Sequence, residues 1–262
     1  MKHIQRFILF VAISVGLSHF CMAQETRFSA GIRFGPSVPV GEFARYRPSF
    51  HDVSGNAVPG ITGNIRLQYR FAKSWALTLQ TGGSQNGQNN RKVIRSMQSS
   101  FPEGASVSYK AKKWKVFHAM AGVNYAIPLS GDKRFELQPG LYAGWCKTSI
   151  PGYKYSYAYG SSGGLEPGTI GTGFSKGTSL PWSFCYQTDL AFRFHISKRI
   201  ALSLDVAYFD SRPVITYYYY EDSPPGLPFQ VISGPGLGEP RSARKHYALS
   251  SIATGAGIAV KL

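Results

Sequence analysis

The side chains able to do chemistry are few and widely spaced. A hydrolase needs its base and nucleophile within hydrogen-bond reach, and three groupings come near that requirement. His195 and Ser197 stand at i, i+2 spacing, but they fall at a turn and His195 lies on the inward phase of its strand. His246 and Ser250 are four residues apart, about 13 Å along a strand, which is too far for direct proton transfer. His51-Asp52 is an isolated dipeptide. No Cys or His spacing fits a zinc site, and no Gly-rich loop sits between a strand and a helix. The expectation is therefore no enzyme and no cofactor, with an outer-leaflet lipid-modifying hydrolase as a rival built on His246 and Ser250.

Charged residues fall into two patterns with different chemistry. Arg33, Arg66, Arg70, Glu136, Asp189, Arg193, Asp205 and Lys261 each interrupt an apolar alternation on its opposite phase. Such a set, if enclosed, must pair or hydrogen-bond, and Arg66, Arg70 and Arg193 are the expected partners of Glu136, Asp189 and Asp205. The second pattern is a basic segment, Arg91, Lys92, Arg95, Lys110, Lys112, Lys113 and Lys115, broken only by Glu103. Clustered cations of this kind either solvate a loop or hold phosphate or anionic glycan.

Eight stretches position these groups, each alternating with period two. They carry Phe28 to Phe34, Ile61 to Phe71, Trp75 to Leu79, Phe117 to Ile127, Phe135 to Trp145, Phe184 to Ile196, Ile200 to Tyr208 and Ile252 to Leu262 on their apolar phases, none of which contains Asp, Glu, Lys or Arg. Connections alternate in length. Short turns fall near residues 73, 131 and 198, and long segments cover 36–58, 83–106, 148–182 and 209–246. Outer-membrane barrels are trimmed at one end and elaborated at the other in this way, whereas a soluble barrel has no need to be. Trp75, Tyr125, Phe135, Trp145, Phe184 and Tyr208 fall at strand ends, where interfacial aromatic girdles would sit. Pro139, inside the fifth stretch, predicts a bulge or local irregularity.

Composition agrees with this architecture. Apolar residues make up 43% of the 262 and charged residues 16%, with 17 Phe, 16 Tyr and 29 Gly, a mixture that favours strands and tight turns. Lys2 and Arg6 precede an apolar run from Phe7 to Leu17, too short to span a bilayer and typical of an export signal. Cleavage is expected between Ala23 and Gln24, leaving 24–262 as one barrel domain. Lys2 and Arg6 carry two of the +16 formal charges, so the exported chain keeps +14. Export makes lipid phosphates or surface glycans, not nucleic acid, the natural anionic partners. In an oxidising compartment a disulfide can persist. Cys146 and Cys185 fall on one inward face of adjacent strands, in a register that would also set Glu136 opposite His195 and Gln138 opposite Arg193. A bridge there would add roughly 3–4 kcal/mol; the alternative is two buried thiols.

Met22-Ala23-Gln24, Ile127-Pro128-Leu129 entering a short turn, and Pro139-Gly140-Leu141-Tyr142-Ala143-Gly144 on the returning strand resemble the PorT-like outer-membrane β-barrel proteins. That resemblance implies an eight-stranded barrel in a Gram-negative outer membrane without implying one activity. Leu262 departs from the aromatic residue that ends many such barrels. The sequence thus predicts an all-β, eight-stranded antiparallel up-and-down transmembrane barrel with short periplasmic turns and long extracellular loops. Its lumen would be filled by side chains, its partners outer-membrane lipids with lipopolysaccharide phosphates among them, and its loops free to meet a protein or glycan. Tyr153, Tyr155, Tyr157, Tyr159 and Tyr217 to Tyr220 are read as strand extensions rather than a binding surface. A narrow pore for small solutes is the remaining rival.

Overall fold

The computed structural model describes residues 27–45, 55–99, 105–132, 134–158, 170–175, 177–219 and 241–262. The expected signal segment, His51-Asp52, Glu103, Lys133, Tyr159 and Tyr220 lie outside them. Eight strands form the wall: β1 (Phe28–Val40), β2 (Ala57–Arg70), β3 (Trp75–Gln88), β4 (Trp114–Tyr125), β5 (Phe135–Ile150), β6 (Ser183–His195), β7 (Ile200–Ser211) and β8 (Leu249–Lys261). Each is antiparallel to its sequence neighbours, and β1 pairs with β8 from Ser29↔Lys261 to Val40↔Ser250. The sheet closes on itself, so none of the eight strands is left as an open edge. Among the described residues no helix is long and apolar enough to cross a membrane.

Connections of four, nine and four residues join β2 to β3, β4 to β5 and β6 to β7. In the middle one, Ser130 donates to Asp132 Oδ1 at 2.6 Å and the Arg134 N–H donates to the same oxygen at 3.2 Å. The Ser130 bond, with the Arg134 N–H behind it, holds the Asp132 carboxyl below its ordinary value. At the other end two short helices follow strands, α1 (Gly41–Ala44) after β1 and α2 (Asn90–Gln98) after β3. Three more strands, Ser106–Ala111, Tyr153–Ala158 and Ile170–Ser175, form a separate sheet, and Val214–Tyr219 pairs with Arg241–His246.

Prolines disturb the ladder, at Pro139 as the expected local irregularity but without a bulge. The β5–β6 pairing runs unbroken through Leu190↔Pro139, and no register shift occurs there. The β4–β5 ladder merely lapses, from Asn124↔Gly140 to Ile127↔Leu137 in the same register. The bulge is at Pro59, where the β2–β3 register shifts between Val58 and Gly60. Pro36, which has no N–H to donate, sits in the gap of the β1–β8 ladder between Phe34↔Ala256 and Ser37↔Ala253.

The outward face carries a wide apolar belt. Phe34, Ile61, Trp145 and Leu204 are all more than 60% exposed, far beyond what a water-soluble surface carries as a contiguous belt. Aromatic rings gather at both its margins. Phe28–Tyr69 and Trp75–Tyr125 lie at the short-turn end, with ring centroids 4.7 and 4.9 Å apart, and Phe117–Trp182 at the long-loop end, 6.2 Å apart. Phe117 and Tyr125 are eight residues apart on β4, roughly 26 Å of strand, or about 20 Å of height at the usual barrel tilt, near the ~25 Å of a hydrocarbon-matched band.

That belt sets the first testable expectation. Replacing Leu204, at mid-height on the outward face, by arginine should cost about 2–4 kcal/mol in denaturant unfolding from bilayers. An unchanged midpoint would mean that hydrocarbon does not surround this face.

Candidate functional site

The inward phase builds a network that uses the barrel's small radius. Arg33 on β1 donates through Nη1 to Asp205 Oδ2 on β7 at 2.5 Å and lies 3.6 Å from Asp189 Oδ2 on β6. Arg66 on β2 forms an ion pair with Asp189, donates through Nε to Gln80 Oε1 at 3.1 Å, and covers the Tyr142 ring at 5.2 Å. Strands β2 and β6 are four apart in a ring of eight, so the Arg66–Asp189 bond runs across the diameter. Tyr142 donates to Asp189 Oδ1 at 3.2 Å and accepts from Asn124, which in turn accepts from Thr78; these last two bonds are both 2.5 Å. Gly255 on β8 makes room, since a Cβ there would stand 2.9 Å from Arg33 Cγ.

Nearer the short-turn end, Glu136 takes Arg70 at 3.4 Å, His195 at 3.4 Å and the Gln138 amide at 3.0 Å. Arg193 faces Glu136 across the β5–β6 ladder, yet its Nη1 reaches over to Gln68 Oε1 at 2.8 Å. Within the expected set, Arg66 takes Asp189 and Arg70 takes Glu136, while Asp205 is taken by Arg33 and Arg193 turns to Gln68.

Above this layer the lumen turns less charged. With its amide oriented to satisfy both neighbours, Asn64 accepts from Arg33 Nη2 at 2.6 Å and donates to His118 Nε2 at 2.9 Å. Cys146 donates to Ser211 Oγ at 3.0 Å and lies 3.3 Å from Ser183 Oγ, within a cluster of Val116, Met120, Tyr142 and Cys185. The register expected for the cysteines is displaced by two residues: Cys146 stands opposite Ser183, Glu136 opposite Arg193, and Cys185 opposite Gly144. Both cysteines are free thiols. Diagonal cross-strand neighbours have Cα atoms about 7–8 Å apart, beyond the ~4.4–6.8 Å that a disulfide spans.

An aromatic cap roofs the long-loop end. Phe43, Ala57, Trp114, Leu180, Tyr247 and Leu249 pack as one buried cluster. Trp114 opens β4 and Tyr247 precedes β8, on opposite sides of the ring, and their rings stack with centroids 5.9 Å apart. Phe43 meets Trp114 edge-on at 5.5 Å, and the indole N–H donates to the Gly55 carbonyl at 3.0 Å. Sequence reasoning missed this cap. Its signal was Trp114 on the inward phase, two residues beyond Val116, in a segment read as loop.

Outside, the basic residues gather above the aromatic margin. Lys115 and Lys147 are exposed on the outward phases of β4 and β5, and Lys147 stands opposite Phe117. Lys110 is paired directly with Lys154 across Ser106–Ala111 and Tyr153–Ala158, both exposed. Lys112 and Lys113 lie exposed between them and β4. Arg91, Lys92 and Arg95 are exposed on α2, which packs against Ser106–Ala111. Apart from the lumenal Glu136 at the far end of β5, these elements contain no Asp or Glu. Tyr153, Tyr155 and Tyr157 stack along their strand at 6.4 Å intervals, and Tyr155 is buried. Burial raises the Tyr153 and Tyr155 phenols above their ordinary value. The histidine–serine pairs are not joined: Ser250 donates to Asp210 at 2.5 Å, and Ser197 Oγ accepts from the Arg199 and Ile200 amides.

Two expectations follow from the lumen. Asp189→Asn removes the charge shared by Arg66 and Arg33 and should cost about 3 kcal/mol or more. Arg70→Gln, at a side chain that is a third exposed, should stay within about 1 kcal/mol; urea unfolding of both variants would show whether the order reverses. Thiol labelling of the denatured, unreduced protein should tag both Cys146 and Cys185, and a chain that takes up no label would restore the bridge.

No family model and no curated protein sequence matches the chain. Among solved structures, the chain is similar to the Neisserial surface protein A, at 11% identity over 90% of this chain and 97% of that one, with a TM-score of 0.42. For OprG of Pseudomonas aeruginosa the values are 14%, 91%, 98% and 0.43. For Ail, the attachment invasion locus protein of Yersinia pestis, they are 13%, 90%, 99% and 0.39. The chain's own ladder defines its architecture, a closed eight-stranded antiparallel barrel that is apolar outside and ion-paired within.

Proposed function

We propose that the chain is exported by its N-terminal segment and spans a Gram-negative outer membrane as a plugged barrel of the PorT-like kind. Its long-loop end faces outward, and its basic rim holds the phosphates of outer-leaflet lipopolysaccharide. Its role is structural and interactive at the cell surface, not catalytic and not that of a channel. One observation carries the reading. Lys115 and Lys147 point outward directly above the exposed rings of Phe117, Trp145, Trp182 and Phe184, the height at which lipid phosphates meet the hydrocarbon. The Lys110↔Lys154 pair adds to it, because like charges directly opposite in a ladder destabilise each other unless an anion lies between them. The cap and the cross-lumen ion pairs support the plugged reading over the pore.

Near an anionic surface each lysine contributes about 1 kcal/mol, so replacing Lys110, Lys115, Lys147 and Lys154 together by glutamine should weaken capture of phosphorylated lipid A some hundredfold or more. Dephosphorylated lipid A with the same acyl chains should bind the native barrel and the variant alike. Equal capture of the phosphorylated form by both proteins would end the phosphate reading. Steady ohmic current from the native barrel in planar bilayers would end the plugged one.

A further inference from the structure

The lumen contains one guanidinium more than its carboxylates can serve. Asp205 is taken by Arg33, Asp189 by Arg66 with Arg33 and Tyr142 beside it, and Glu136 by Arg70 and His195. Arg193 forms no ion pair among the described residues. It has the Gln68 oxygen, and its buried Nε has no partner. An enclosed cation without a counter-charge costs several kcal/mol, so its neighbourhood should contain something that offsets it.

A cavity of about 30 Å³ lies in that place. Its polar lining is Arg33, Arg66, Arg193, Ser29, Ser203 and Gln68, with no carboxylate, and its remaining walls are glycine, alanine and isoleucine. The Gln68 oxygen already accepts from Ser29 at 3.4 Å and from Arg193. What is left to face a guest is a set of donors: three guanidinium groups, hydroxyls and an amide. Size then limits the guest. A water needs about 10–15 Å³ of such space, so the cavity has room for two or three waters or for one small anion, a monatomic one most readily. Water fills the space but brings no charge. We propose that this cavity binds a single halide-sized anion, physiologically chloride, held by Arg33, Arg66 and Arg193 and completing the charge balance of the plug. The inference does not depend on the basic rim.

The test uses the full refolded barrel in detergent. Its unfolding midpoint is measured in chloride, bromide, sulfate and gluconate at constant ionic strength, beside Arg193→Gln. If the site exists, chloride and bromide shift the folded-to-unfolded ratio by up to tenfold per tenfold rise in concentration once the site is saturated. Sulfate and gluconate do not, and the halide effect disappears in R193Q. Should R193Q fail to fold, native crystals grown in bromide decide the matter, because an anomalous peak is expected inside the cavity. Equal midpoints in chloride and gluconate, a sulfate effect as large as that of chloride, a halide effect that survives R193Q, or a cavity without anomalous signal would each overturn the proposal.

Discussion

Closure of the sheet is the constraint from which the rest descends. Hydrocarbon offers backbone amides and carbonyls no hydrogen bonds, so strands surrounded by it must satisfy one another all the way round. Here the first strand finds the last, from Ser29↔Lys261 to Val40↔Ser250. The seam has one weak point, opposite Gly35 and Pro36. Pro36 has no N–H, and at Gly35 a Cβ would run into the Thr254 carbonyl. A glycine is required there because the two backbones come too close for any side chain.

Eight strands then fix the radius, and the radius dictates the chemistry inside. A wall this small leaves room for side chains and little else, so an inward residue on one strand reaches the strand opposite. Arg66 meets Asp189 and Arg193 meets Gln68 across the same diameter, and higher up Trp114 stacks on Tyr247. These contacts tie distant parts of the ladder together where no backbone bond could. Breaking one of them strips a buried charge or an aromatic face of its main partner, so conservative polar substitutions are expected to cost more in the lumen than on the outer wall.

The outer wall was legible in the sequence, and the interior pairings were not, for one reason. Period-two alternation assigns faces, so Ile65, Leu77, Leu141 and Leu204 could be set outward and Arg33 and Asp189 inward with no knowledge of neighbours. A two-residue slip preserves every face, and the register expected at Cys146 and Cys185 was displaced by that amount. Strand length was also hidden where the chain leaves the apolar belt. Thr81 to Gln88 continue β3, but with polar residues and glycine on both faces no alternation remains to be read. The same loss of signal concealed Trp114. Uncharged partners such as Asn124, Thr78 and Gln68 carry no mark of their own, because a polar residue on an inward phase looks the same whether it completes a network or not.

The distribution of charge separates the two ends of the molecule. All three lumenal carboxylates are committed to arginines, so the interior contributes little to the large positive excess of the chain. That excess is carried outside, and the rim above Phe117 and Trp145 holds a dense share of it on segments without an acidic residue. A protein whose only electrostatic task was solubility would intersperse the signs, since like charges packed on neighbouring strands repel. Lys110 and Lys154 repel each other across their ladder, and an anion beside them would relieve that repulsion. The same closure that sends the carboxylates inward to pair thus leaves the lysines outside, above the aromatic margin.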